Sequence, residues 1–151
     1  MFERLLYLRE EKELTQKELG EIFNVDRSII SKWEIDSVTI PLKQLNNYAN
    51  YFNVSLDYLT GLSNIKESTK TIKELNKQII GKNIKQVREE NNLTLRALAK
   101  QLNTTSSTIS AYETGKTLIL TAFAYQIAKK YNISLDWLLG KSNNKSIKKD
   151  N

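Results

Sequence analysis

The sequence predicts an all-α chain of two tandem five-helix domains joined by a short, partly helical connector. Two observations carry this. The chain matches itself without a gap at an offset of 79 residues, from about Arg4 to Gly61, which marks an internal duplication. One proline and five glycines in 151 residues leave little material for turns, while Leu, Ile, Lys, Glu and Asn abound. That balance favours short, closely connected helices over sheets. The repeat sets the expected boundaries: a first domain over 1–62, a connector over 63–78, a second domain over 79–140 and a basic, unstructured tail over 141–151. A domain of roughly 60 residues can fold alone, but only marginally.

The duplication is legible residue by residue. Arg9-Glu10-Glu11 returns as Arg88-Glu89-Glu90, and Leu14-Thr15 as Leu93-Thr94. Asn53-Val54-Ser55-Leu56-Asp57-Tyr58-Leu59 returns as Asn132-Ile133-Ser134-Leu135-Asp136-Trp137-Leu138, and each run has a glycine two residues later. Within the first copy, Leu5, Leu6 and Leu8 predict a helix ending near Lys12. Thr15 with Glu18 three residues on is a capping-box start for a second helix through Phe23. Asn24 follows where the chain must turn, and asparagine tolerates left-handed dihedrals. Asp26 can accept from the next backbone amides and start a third helix, Arg27 to about Glu34. Pro41 is expected as the first residue of a fourth, whose apolar face is Leu45, Tyr48, Ala49 and Phe52. Ser55 caps a short fifth helix, with Asp57 near its positive end, and Gly61 stops it.

Composition excludes several kinds of chemistry. The absence of cysteine and histidine removes disulfides, thiolate and imidazole metal ligands, cysteine nucleophiles and histidine-based triads. No nucleophile–base pair or phosphate-cradling glycine loop is present, so an enzyme is not expected and no cofactor or metal is called for. No apolar run is long enough to span a membrane and no secretory signal opens the chain, so a cytoplasmic protein without membrane partners is expected. The net charge of +6 points weakly to a polyanionic partner. Its distribution is uneven: −2 over 1–66, +2 over 67–82, +3 over 83–140 and +3 over 141–151. Any claim that the first half binds nucleic acid must therefore rest on where its charges point.

Helices two and three carry the recognisable pattern: Leu19, Gly20, Phe23, Asn24, Val25, Ile30 and Trp33, repeated as Leu98, Ala99, Leu102, Asn103, Thr104, Ile109 and Tyr112. The small residue at Gly20 and Ala99 lets two helices cross closely, as in a helix-turn-helix. Together with Leu14-Thr15-Gln16-Lys17-Glu18-Leu19 and Ser55-Leu56-Asp57-Tyr58-Leu59, each copy resembles the Cro/phage-repressor (XRE-type), lambda-repressor-like helix-turn-helix domain. The resemblance implies a five-helix bundle that presents its third helix to the major groove of double-stranded DNA. It also implies a transcriptional regulator, more often a repressor, that can act as a homodimer. A helix of ~10–12 Å diameter fits a groove about 12 Å wide, where base edges are distinguishable.

Carried over by position, the resemblance offers Gln16 as a phosphate or clamp contact with Lys17 beside it, and Arg27, Ser28, Ser31 and Lys32 as the outward face of helix three. Arg27 can bind a guanine edge in bidentate fashion; Arg27 and Lys32 can equally be phosphate contacts or a solvated face. The second copy departs from this pattern. Its equivalents are Leu95, Ser106, Ser107, Ser110 and Ala111, with no long donor, while Arg96, Lys100 and Lys116 equip it for phosphates. This predicts a division of labour in which the first copy selects sequence and the second adds phosphate affinity. The alternative is that the second copy has become a protein-interaction or dimerisation module.

Other features have readings within the fold. Trp33 and Tyr112 sit at core positions, which favours packing over base stacking. Arg9 with Glu34, and Arg88 with Glu113, match positions of a helix-one to helix-three ion pair in the resembling family. Glu10, Glu11 and Glu13 read as solvated surface, with partner binding as the sharper alternative. Thr71 and Glu74 form a second capping signal before Ile72, Leu75 and Ile79, predicting a short amphipathic connector helix that packs on a domain or on another chain. The tail lysines add salt-sensitive DNA affinity or merely solubility. Nothing resembles a small-molecule sensor, so control would come through abundance or through a regulatory protein or peptide.

Overall fold

A computed structural model describes residues 2–67 and 70–149. Among them the chain is all-helical: α1 (Arg4–Glu11), α2 (Gln16–Phe23), α3 (Arg27–Glu34), α4 (Leu42–Phe52), α5 (Leu56–Leu59), α6 (Lys77–Glu90), α7 (Leu95–Gln101), α8 (Ser106–Glu113), α9 (Thr121–Lys130) and α10 (Leu135–Leu138). Among the described residues the chain divides into two compact units, 2–73 together with 148–149 and 74–147, with five helices in each.

The duplication is written into the backbone. All ten left-handed residues among those described fall into five pairs at the repeat offset: Glu13/Asn92, Asn24/Asn103, Asp36/Gly115, Asn53/Asn132 and Gly61/Gly140. Each pair lies in the loop after an equivalent helix, so both copies turn by the same torsions. Asparagine, aspartate and glycine meet this demand at least steric cost, and Asp36 shows the second copy's glycine to be replaceable.

Capping fixes most helix starts. The Thr15 hydroxyl accepts from the Glu18 amide while the Glu18 carboxylate accepts from Thr15, a complete capping box. Ser55 and Ser134 cap α5 and α10 by accepting from the amides of Tyr58 and Trp137. Pro41 stands one place earlier than expected: its extended ψ of 149° makes it the cap, and Leu42 opens α4. Leu6, expected in the first apolar face, is more than a third exposed, whereas Leu5 and Leu8 are buried. The expected α4 face of Leu45, Tyr48, Ala49 and Phe52 is buried throughout.

The connector is corrected. Thr71 starts no helix; residues 70–76 are irregular, and the Ile72 carbonyl accepts from the side-chain amides of Asn46 and Asn50 on α4, each at 2.8 Å. Helix resumes at Lys77, where the Asn76 carboxamide accepts from the amides of Gln78 and Ile79. The helical part of the expected connector is thus only Lys77 and Gln78, the opening of a 14-residue α6 that lies wholly in the second unit. Asparagine five residues further along outcompetes threonine because its carbonyl reaches both orphan amides. Ser68 and Thr69 lie outside the described residues.

The tail is corrected as well. Residues 141–147, expected to be unstructured, carry no helix but close the second unit as residues 62–66 close the first. The Ser55 amide donates to the Lys66 carbonyl at 3.1 Å, and the Ser134 amide to that of Lys145 at 2.8 Å. Lys66 pairs with Glu11 and stands 5.8 Å from the Tyr58 ring; Lys145 pairs with Glu90 and stands 5.3 Å from Trp137. The repeat therefore runs to at least Lys66 and Lys145. Asp150 and Asn151 lie outside the described residues.

Two sites in the second unit set measurable limits. A Cβ on Gly81 would stand 2.4 Å from the Tyr112 carbonyl oxygen and 2.5 Å from that of Glu113, so α6 and α8 cross on bare backbone. Gly81→Ala is expected to lower the unit's stability by roughly 2–3 kcal/mol in denaturant unfolding. Lys141 and Asp136 are both buried, and burial pushes the Lys141 ammonium down to about 8 despite the Asp136 charge. Its native pKa lies below the ordinary 10.5, so the unfolded chain binds the extra proton between those values and stability rises with pH across that window. Unfolding measured at pH 8 and again at pH 10.5 is expected to show a gain of roughly 1–3 kcal/mol. The gain disappears in Lys141→Leu, the residue found at the matching position 62.

Candidate nucleic-acid interface

The third helix of each unit has one anchored stripe and one free stripe. In α3, Ile30 and Trp33 are buried, while Arg27, Ser28 and Lys32 are exposed and Ser31 is half-exposed. These four recur at helical spacing and so share one face. In α8, Ile109 and Tyr112 are buried, Ser106 and Ser107 are exposed, and Ser110 and Ala111 are half-exposed. Trp33 and Tyr112 pack inside, as their positions predict, and neither ring is available for base stacking.

Both ends of the third helix are held. At the start of α3 the Asp26 carboxylate accepts from the Ser28 amide at 2.8 Å, and that bond holds the acid below the usual carboxylate range. In α8 the cap is the Thr105 hydroxyl, which accepts from the Thr108 amide and also lies within hydrogen-bond distance of the Ser107 and Thr108 hydroxyls. At the far end a nearly buried arginine–glutamate pair ties the helix to the first helix of its unit. Arg9 donates Nε to Glu34 Oε2 at 2.6 Å and a terminal nitrogen to Oε1 at 3.0 Å, while its other terminal nitrogen reaches the Leu14 carbonyl at 2.7 Å. Arg88 repeats this on Glu113 and the Leu93 carbonyl with distances of 2.7, 3.0 and 2.8 Å. The bond to glutamate raises both guanidinium pKa values above their usual range, so charge and geometry are fixed together.

Where α2 meets α3, Gly20 makes the close approach: a Cβ there would lie 2.7 Å from the Val25 carbonyl oxygen. Asn24 turns the chain with φ 54° and ψ 46°. Two helices packed across a short left-handed turn, with the second exposing a polar stripe, constitute a helix-turn-helix reading head.

The remaining expected site residues distribute unevenly. Lys17 is exposed on α2, and Arg96 and Lys100 on α7. Lys116 is exposed in the loop after α8, whose turn is set by Gly115 at φ 76°. The corresponding loop of the first unit offers no lysine; Ile35 is 71% exposed, Val38 is half-exposed and Asp36 occupies the glycine position. Gln16 does not project freely. Its Nε2 donates to Glu34 Oε1 at 3.0 Å, joining the start of α2 to the end of α3. Nothing in the local sequence pattern signals this bond, which joins two residues 18 positions apart. The structure thus brings Arg27, Ser28, Ser31 and Lys32 onto one stripe, Ser106, Ser107 and Ser110 onto another, and ties Gln16 inward.

A helix-turn-helix family model matches residues 5–59, and a second helix-turn-helix domain model matches residues 81–143. No curated protein and no solved structure matches the chain. The chain carries two tandem helix-turn-helix domains of the Cro/C1 type, and it is a DNA-binding regulator. Among the described residues no helix is long and apolar enough to cross a membrane.

Removing the arginine of a pair tests how the head is held. Arg9→Met strands the Glu34 carboxylate and is expected to cost the first unit about 3 kcal/mol in unfolding free energy. Arg88→Met is expected to act likewise on the second unit through Glu113.

Proposed function

We propose that the protein is a sequence-specific repressor that lays α3 of its first unit in the major groove and gains phosphate affinity from its second. The observation that carries this reading is the free stripe of α3, where Arg27 leads an end-anchored helix into solvent and Lys32 follows on the same face. A guanidinium so placed can donate two parallel bonds to guanine O6 and N7. The α8 stripe offers serines and an alanine, which can touch thymine methyls or make single bonds that discriminate weakly. Its neighbours Arg96, Lys100 and Lys116 carry the charge that phosphates need.

Such a chain occupies an asymmetric operator with a guanine-containing half-site for the first unit and a permissive one for the second. Repression follows from occupying a promoter. It acts in the cytoplasm, and regulation comes through its abundance, through a protein or peptide, or through pairing of two copies. The hydroxyl-rich face of α8 also favours a second reading, in which the second unit binds a protein and only the first binds DNA.

Affinity measured on a selected site and on random duplex separates these. Arg27→Ala is expected to lose about 1–3 kcal/mol on the selected site and much less on random DNA. Lys116→Ala is expected to lose affinity equally on both and to lower the salt slope by about 1. Uniform loss for both variants contradicts the division of labour. No change for Lys116→Ala favours the protein-binding reading.

A further inference from the structure

The first helix of the second unit starts earlier than its copy in the first. α6 opens at Lys77, six places before Asn83, the residue that matches Arg4 at the start of α1. The added stretch lies against the loop after α8. A Cβ on Gly115 would stand 3.1 Å from Gln78 Cγ, 3.2 Å from its Cα and 3.3 Å from its Cδ, and Gly115 is buried. One turn further along α6, Gly81 meets the Tyr112 and Glu113 carbonyls at the end of α8. Lys77 and Gln78 precede Gly81 by four and three places, so the three share the helix face turned to α8 and its loop.

Lys116 follows Gly115 and Lys77 precedes Gln78, which puts the two lysine Cα atoms at most about 12 Å apart. Both lysines are exposed. Most backbone donors around them are already taken. The amides of Gly115, Lys116 and Thr117 go to the carbonyls of Tyr112 and Ala111, and the Asn76 carboxamide takes those of Gln78 and Ile79. What this surface offers an anion is therefore side-chain charge: two ammonium groups whose mutual repulsion an anion between them relieves. The matching loop of the first unit is the reverse, with Asp36 in the place of Gly115 and exposed Ile35 and Val38 beside it.

We propose that Lys77 at the start of α6 and Lys116 in the loop after α8 form one phosphate-binding surface for duplex DNA, joined by the contact of Gln78 with Gly115. The proposal rests on the reading of the second unit as the phosphate-binding copy and adds to it an element outside the helix-turn-helix itself. The end of the connector is then part of the DNA interface rather than a spacer. A phosphodiester is the ligand that fits, because point charges on flexible stems hold phosphates without reading sequence.

Full-length wild type, Lys77→Ala, Lys116→Ala and the double variant test this on random-sequence duplex across a salt series. Lys77→Gln serves as a second replacement if alanine lowers Tm. Lys130→Ala is the control for net charge, since Lys130 is exposed at the end of α9 and belongs to neither element. At about 0.1 M salt Lys77→Ala and Lys116→Ala are each expected to weaken binding about three- to tenfold and to lower the salt slope by about 1, the double variant by about 2. Lys130→Ala is expected to leave the slope unchanged. If Lys116→Ala weakens binding while Lys77→Ala behaves like Lys130→Ala, the shared surface is overturned and the phosphate reading of the second unit stands. If neither Lys77→Ala nor Lys116→Ala has an effect, that reading fails and the shared surface with it.

Discussion

Each unit is organised around one nearly buried guanidinium. Arg9 touches the end of α3 through Glu34 and the approach to α2 through the Leu14 carbonyl, so three elements meet on a single side chain. Arg88 does the same with Glu113 and Leu93. A planar fork of donors suits this work because its bonds have fixed directions, and a lysine in its place would hold the carboxylate without fixing the loop. Such a pair is weak evidence of net stability, since removing two charges from water is expensive. Its value is geometric. With the far end of the third helix tied down and the near end capped by Asp26 or Thr105, the outward stripe points one way in both copies.

That common frame gives meaning to the differences between the copies. The same backbone, turning at the same five left-handed positions, carries a cationic stripe in one unit and a hydroxyl stripe in the other. The loops beyond the third helix diverge in the opposite sense, with Lys116 in the second unit set against exposed Ile35 and Val38 in the first. Duplication with divergence has split the two surfaces: an arginine-led stripe in the first copy, and hydroxyls beside a lysine-bearing loop in the second. The net charge of each segment reflects this split. The first 66 residues are acidic overall, yet their third helix leads with arginine.

Much of the architecture was legible because it is written locally. The Thr15–Glu18 box, the Asp26 cap, the Asn24 turn and the burial of Trp33 each follow from one or two residues and their immediate neighbours. Two elements were hidden by competition. Thr71 carries a capping signal in the sequence, but the Asn76 carboxamide, five residues on, is the cap that forms. The closing segments at Lys66 and Lys145 share the repeat offset, but the match was read only as far as the glycines at 61 and 140. In the candidate site, the exposed stripe followed from the helix-turn-helix resemblance, carried over position by position. The bond from Gln16 to Glu34 did not, because it joins residues 18 apart through a tertiary contact that no periodicity encodes.

Selection of binding sites from random duplex DNA by the full-length chain tests most directly the proposed unequal reading power of the two helix-turn-helix heads. One sharply defined half-site containing guanine is expected, flanked by a span about one helical turn away that carries little sequence information. Two equally defined half-sites related by symmetry, or enrichment of sites lacking any guanine preference, would contradict it.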